Sequence, residues 1–360
     1  MRIGVIGGGQ LGQMLGAAAG ALGATCTFVD PSDTPPASSA GPVIKKAFDD
    51  PYALAELARD SDVITYEFEN VPVAALLDLA ERVPVYPPPG ALRIAQDRLS
   101  EKELFKELDI ALPGYQAVDS LEDLQAAATK LGVPLVLKTR RFGYDGKGQF
   151  VIRSVDDISA AWDELGGQPL IAEAFVDFDY EVSVIGARNP AGDVVIWPLT
   201  NNEHGQGILR TSRAPVADDE LLAQASTYMN RMLTHLNYVG VLSLELFVVN
   251  RSLLANEFAP RVHNSGHWTI EGAATSQFSN HILAITGQPL RSTTCPDFAG
   301  MVNLIGQIPE GASALVGPRV FLHDYGKAPR PGRKLGHITV VAGTAADRDA
   351  LLLEIQKTVT

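Results

Sequence analysis

Lys138-Thr139-Arg140-Arg141-Phe142-Gly143-Tyr144-Asp145-Gly146-Lys147-Gly148-Gln149 is the stretch from which the rest of the chain can be read. The apolar run Val133-Pro134-Leu135-Val136-Leu137 precedes it and reads as a buried strand, so Lys138 stands at a strand end. Gly143, Gly146 and Gly148 then let the backbone turn tightly and its N–H groups converge on an anion. A cation at a strand end followed by a basic glycine loop suits phosphate. An exposed hairpin tip with solubilising charge is the simpler alternative.

Upstream, Arg2-Ile3-Gly4-Val5-Ile6 reads as a strand, and Gly7-Gly8-Gly9-Gln10-Leu11-Gly12 contains Gly-x-Gly-x-x-Gly. Leu11, Met14, Leu15, Ala18 and Leu22 recur at helical spacing, and a second strand, 25–29, ends at Asp30. Strand, glycine turn, helix, strand and acid make the dinucleotide fingerprint in its expected context. The same pattern also serves βαβ units whose glycines only allow close packing. A further strand at 62–66 leads into Glu67 and Glu69, where open α/β sheets bind ligands. Val83-Pro84-Val85-Tyr86 reads as another strand, and Pro87-Pro88-Pro89-Gly90 as a domain edge. The next helix runs through Leu108, starting from a Ser100/Glu103 capping box or from Asp97.

Downstream, residues 241–249 carry one charge, Asn250-Arg251-Ser252 makes a turn, and 253–259 returns. A hairpin centred on Arg251 sets Glu245 opposite Glu257, with Cβ atoms about 5 Å apart. Two facing carboxylates in an apolar hairpin call for a cation, and an oxygen-ligated ion such as Mg²⁺ suits them. The alternative is one exposed hairpin face. Pro260-Arg261-Val262-His263-Asn264-Ser265-Gly266-His267-Trp268 follows as a dense polar candidate substrate site. His204, His263, His267 and His281 lack metalloprotease spacing, and no Gly-x-Ser-x-Gly elbow occurs. The segment 327–337 holds Lys327, Arg330, Arg333 and Lys334, a solvated loop or a phosphate loop.

The 360 residues predict two or three domains. A net charge of -13 argues against a general nucleic-acid binder, and no run of 18 apolar residues marks a membrane span. Cys26 and Cys295 make neither a disulfide framework nor a zinc site. The chain starts directly in an apolar strand without the shape of a signal peptide, so the cytoplasm is expected.

Taken together, Lys138, the 143–149 loop, Glu173, Glu245 and Asn256-Glu257 resemble the ATP-grasp fold. Gln10-Leu11-Gly12, the stretch from Asn256 to Trp268, and Arg330-Pro331-Gly332-Arg333-Lys334-Leu335-Gly336-His337 are similar to the N5-carboxyaminoimidazole ribonucleotide synthetases. This likeness covers essentially the whole chain. It implies an α/β and α+β protein: a Rossmann-like pre-ATP-grasp domain over 1–97, an ATP-grasp lid subdomain over 98–178, and a catalytic domain over 179–360 with a small C-terminal extension. The implied reaction is the ATP-dependent carboxylation of 5-aminoimidazole ribonucleotide (AIR) with bicarbonate, through carboxyphosphate, in purine synthesis. By the same resemblance ATP is held by Arg98, Lys138, Gly143, Tyr144, Asp145, Gly146, Lys147, Gly148, Gln149, Glu173, Ala174, Phe175, Val176, Glu181, His204, Asn256 and Glu257. Glu173 to Val176 would be the hinge that reads adenine by backbone groups, and Glu181 would hold ribose. AIR falls to Gln10, Leu11, Glu67, Arg261, His263, Asn264, Ser265, Lys327, Arg333 and Lys334, and catalysis to Asp145, Arg261, His263 and Asn264. Mg²⁺ or Mn²⁺ falls to Glu245 and Glu257. The resemblance implies a homodimer and neither NAD nor biotin, and leaves Asp30 without a role. Rival readings are a formate-using glycinamide ribonucleotide transformylase, a biotin carboxylase, an NAD-dependent oxidoreductase and an inactive binding protein.

Overall fold

The computed structural model describes residues 1–143 and 147–359. Tyr144, Asp145 and Gly146, expected above to contact ATP, lie outside the described residues, and with Asp145 goes one expected catalytic side chain. Strands β1 (Arg2–Ile6), β2 (Thr25–Val29), β3 (Val43–Ile44) and β4 (Val63–Tyr66) form a parallel sheet ordered β3-β2-β1-β4. Parallel neighbours need a crossover, and the helix Gln10–Ala21 supplies it between β1 and β2. Its Leu11, Leu15 and Ala19, four residues apart, are buried against the sheet. The expected strand at 83–86 is reduced to one bridge, Ile64 to Val85. Past the first prolines, Pro89–Ala95 is a helix, which Pro89 opens at a position where no N–H is needed. The next helix, Arg98–Glu107, is capped by Asp97, which accepts from Leu99 and Ser100 N–H; the Ser100/Glu103 alternative is not used.

β5 (Tyr115–Val118), β6 (Leu135–Thr139), β7 (Gln149–Ile152) and β8 (Leu170–Ala174) form an antiparallel sheet ordered β5-β8-β6-β7. The helices Leu121–Leu131 and Ile158–Leu165 close its own small core. The expected lid boundary at residue 98 does not match the packing. Leu104 and Phe105 of the helix Arg98–Glu107 lie in the core of the next sheet, with Leu244 and Phe258.

That sheet has nine strands: β9 (Tyr180–Arg188), β10 (Val194–Ile196), β11 (Thr200–Gly205), β12 (Ile208–Ala214), β13 (Gly240–Val249), β14 (Ser252–Ala259), β15 (Phe298–Ile305), β16 (Val320–Asp324) and β17 (Lys334–Ala342). The order is β14-β13-β9-β11-β12-β15-β17-β16, with β10 on β9. The C-terminal strands thus extend the same sheet as the β13–β14 hairpin, and Lys334 opens β17. Among the described residues no helix is long and apolar enough to cross a membrane.

Candidate active site

The hairpin of β13 and β14 brings its carboxylates together by two compensating steps. Asn250 and Arg251 both have positive φ, 49° and 60°, and make a two-residue turn in which Val249 pairs with Ser252. That register would set Glu245 against Asn256. A bulge between Leu246 and Glu245 shifts it by one, so Glu245 faces Glu257. The sequence places the pair correctly with the wrong centre. The bulge also lets the neighbours Asn256 and Glu257 both line the cavity.

The facing carboxylates already have partners within the protein. Arg98 Nη1 donates to Glu257 Oε2 at 2.8 Å, and His263 Nε2 lies 3.0 Å from Glu245 Oε1. Burial would raise the Glu257 carboxyl, but Arg98, followed by Lys138, holds it down at about 2. The Asn256 Oδ1 is buried without a partner. Two carboxylates and an orphaned amide oxygen fit a hard divalent ion that keeps other ligands from substrate and water. No group of three or more His, Cys, Asp and Glu among the described residues is arranged for a metal, so the third protein donor would be this amide.

Lys138 Nζ donates to Glu173 Oε2 at 3.0 Å. The buried Lys102 lies 3.5 Å from the same oxygen and also donates to the Asn256 carbonyl. Burial pushes the Glu173 carboxyl up, but Lys138, Lys102 and Arg98 outweigh it and hold the group at about 2. Glu173 is therefore an ionised pin between β8 and the bulged hairpin. It does not line the cavity, and neither do Ala174 and Val176, whereas Phe175 does. The N–H groups of Ala174 and Phe175 are already engaged by the Gly114 and Pro134 carbonyls, so they cannot read adenine as expected for the whole hinge. Glu181 and His204 pair with each other and both face the cavity. Burial lowers the His204 pKa, but Glu181 and nearby carboxylates outweigh this and raise it. Gly143 and Gln149 line the cavity; Lys147 and Gly148 do not.

The glycine turn after β1 is closed to ligands. Gly8 N–H donates to Asp30 Oδ2 at 2.8 Å and Gly9 N–H to Glu67 Oε1 at 2.7 Å. Asp30 also accepts from Ser32 N–H, so it has a structural role after all. Glu67 packs under the turn, where a Cβ on Gly7 (φ 107°) would meet its Cγ at 2.7 Å. It does not line the cavity, in contrast to the expected contact with AIR. Gln10 and Leu11 do line it, and Gln10 accepts from the Lys327 ammonium. Burial, followed by Arg333, pushes Lys327 down to about 8, with Lys334 and Arg330 adding and Glu67 opposing. The four cations are therefore gathered beside the N-terminal domain. Only Lys334 of them reaches the cavity lining; Lys327 and Arg333 stand behind it.

Arg261, His263 and Asn264 line the cavity. Arg261 pairs with Glu69 at 2.8 Å, and Asn264 exchanges two amide hydrogen bonds with Asn303. Ser265 is fully buried behind His263 and is not a cavity residue, contrary to expectation. The whole cavity measures about 560 Å³, with Lys138 and the hairpin carboxylates on one side and Gln10, Arg261 and Lys334 on another.

Sequence reasoning missed several residues of the site and its support. Glu101 on the cavity wall and the buried Lys102 share one helical face with the expected Arg98, at i+3 and i+4 from it. Glu101 accepts Phe258 N–H at 2.7 Å and is pushed up by burial to about 8, against the pull of Lys102. Phe178 and Phe247 stack at 4.8 Å and 14° on the cavity wall; nothing in their spacing announces it.

A sequence model of the ATP-grasp domain matches residues 103–278, one of the ribonucleotide synthetase preATP-grasp domain matches 1–96, and one of the phosphoribosylaminoimidazole carboxylase C-terminal domain matches 299–350. The fold and the site thus define an ATP-grasp protein. The chain is 47% identical over 356 residues to the N5-carboxyaminoimidazole ribonucleotide synthase of Pseudomonas aeruginosa, covering 99% of each. It is 49% identical over 344 residues to that of Brucella melitensis, covering 94% of this chain and 95% of the relative. The crystal structure of the Thermus thermophilus synthetase superposes with a TM-score of 0.96 at 46% identity, covering 99% and 98% of the two chains. The Aspergillus clavatus enzyme in complex with ADP and 5-aminoimidazole ribonucleotide superposes with a TM-score of 0.91 at 30% identity, covering 99% and 98%. The chain belongs to the N5-carboxyaminoimidazole ribonucleotide synthase family of ATP-grasp enzymes.

Proposed function

We propose that this chain uses ATP to carboxylate AIR with bicarbonate, giving N5-carboxyaminoimidazole ribonucleotide, ADP and phosphate. The observation that carries the reading is one cavity with two separate sets of charge: the hairpin carboxylates with Arg98 and Lys138, and Lys334 with Arg261 beside Gln10. One set suits a metal-bound triphosphate and the other a second phosphorylated substrate.

A bicarbonate oxygen attacks the γ-phosphorus, and ADP leaves. The carboxyphosphate C–O bond then breaks to give CO₂ and phosphate. The amine nitrogen of AIR attacks CO₂ and loses a proton to the phosphate just released. Such chemistry depends on positioning and charge neutralisation more than on covalent help. Arg98 and Lys138 orient the phosphoryl groups. Glu245, Glu257 and Asn256 would hold Mg²⁺, or Mn²⁺, which when bound neutralises charge on the transferring group. Val136, Val151, Phe175, Phe178 and Phe247 offer apolar walls for adenine, with Glu181 and His204 set for ribose. Lys334 holds the AIR phosphate, with Lys327 and Arg333 adding positive charge from behind it, and Arg261, His263 and Asn264 face the carboxylation step. We carry a three-domain division, the homodimer and a cytoplasmic setting as part of this reading.

The test is ADP release in bicarbonate buffer with and without AIR. Turnover that depends on bicarbonate and rises strongly with AIR is expected. Turnover with formate and glycinamide ribonucleotide but not with AIR would replace the acceptor.

A further inference from the structure

The buried polar groups of β9, β11 and β12 form one chain that ends on His263. Ser212 Oγ donates to Asn202 Oδ1 at 2.8 Å, and Asn202 Nδ2 donates to Ser183 Oγ at 3.0 Å. Ser183 Oγ donates to Ser265 Oγ at 2.7 Å, and Ser265 Oγ lies 2.9 Å from His263 Nδ1. The three serines are fully buried and Asn202 is nearly so. Each hydroxyl has one proton to give. Ser183 gives its proton to Ser265, so the Ser265 proton is left for Nδ1. The backbone reaches the same answer independently. Ser265 N–H also points at Nδ1, at 3.3 Å, and an amide can only donate. An Nδ1 that accepts from both carries no proton. The proton of the neutral ring therefore sits on Nε2, 3.0 Å from Glu245 Oε1.

We infer that this relay fixes His263 as an Nε2–H donor at the cavity wall, and that Ser183, Asn202 and Ser265 are positioning residues for the reaction. His263 then offers the cavity a hydrogen bond and no lone pair. It does not collect the proton released by the amine. It steadies the negative oxygen that develops as carboxyphosphate forms, with Glu245 as its resting partner. The identity of that anion rests on the function proposed above; the tautomer does not.

Two-bond ¹H–¹⁵N spectra of the full chain labelled at histidine nitrogen separate protonated from bare ring nitrogens. His263 is assigned by its missing signals in His263→Asn. Wild-type protein without substrates is expected to show Nε2 protonated and Nδ1 bare. Asn202→Asp keeps the shape but replaces the donor with an acceptor, which draws the Ser183 proton back toward position 202. It is expected to move the ring off this tautomer and to lower kcat about a hundredfold, as for a lost oxyanion donor, with little change in the ATP KM. A wild-type ring protonated on Nδ1, alone or together with Nε2, overturns the inference, whether or not the variant folds. A folded Asn202→Asp protein with an unchanged His263 spectrum overturns the relay. The spectrum is read without turnover, so its failure leaves the carboxylation reading standing, and failure of AIR to react leaves the tautomer standing.

Discussion

The glycine turn after β1 and the bulged hairpin of β13 and β14 each place two carboxylates beside a backbone irregularity, to opposite ends. In the turn, Asp30 and Glu67 accept the Gly8 and Gly9 N–H groups that a dinucleotide pyrophosphate would need. In the hairpin, the bulge turns Asn256 and Glu257 into the cavity beside Glu245. A spacing motif supplies a backbone shape. What the shape binds depends on whether its polar groups are already satisfied by the chain itself.

The sharpest way to break the comparison is to neutralise the acids of the hairpin. Glu245→Gln and Glu257→Gln should each lower kcat on the order of a hundredfold or more while the fold is kept, the scale on which loss of a charge-stabilising group acts. Near-normal rates at saturating Mg²⁺ in both would remove the pair from the metal site. Lys334→Ala comes next. It should raise the AIR KM about tenfold, the ~1.5 kcal/mol of one charged hydrogen bond, with the ATP KM unmoved, and Arg333→Ala should raise it less. A rise in the ATP KM alone would reverse the placing of the two substrates.

Applied to the turn, the same logic predicts a stability effect. Asp30→Ala and Glu67→Leu leave buried N–H groups unpaired and should each cost about 1–3 kcal/mol in urea unfolding. NADH should not quench the fluorescence of the wild type; saturable NADH binding there would show that the turn is open. The smallest effect is expected in acid. Glu173 and Glu257 are held at about 2 in the folded chain against 4.5 for a free carboxyl. Their contribution to stability is present above pH 4.5 and is lost as pH falls toward 2. Lys102→Met removes one of the charges that holds both down, so acid unfolding followed by circular dichroism should depend less steeply on pH across that window.

Much of this was legible. The parallel βαβ start and the facing of Glu245 and Glu257 follow from periodicity and counting. The bulge at Asn256 was not, because the two-residue turn before it hid the shift: the count from Arg251 absorbs both. The roles of Asp30 and Glu67 depend on hydrogen bonds spanning 22 and 58 residues, which no local pattern encodes. Lys102 looks like an ordinary helical surface lysine until the hairpin packs over it and buries it completely. Ser183, Asn202 and Ser212 sit on adjacent strands whose pairing only the sheet order reveals.

The central claim is that bicarbonate, activated by ATP at the bulged hairpin, is the carbon source. Turnover of ¹⁸O-labelled bicarbonate with ATP and AIR tests it directly, with the phosphate released read by mass spectrometry. Attack by a bicarbonate oxygen on phosphorus followed by C–O cleavage leaves one ¹⁸O in each phosphate. Unlabelled phosphate formed together with carboxylated product would contradict the account.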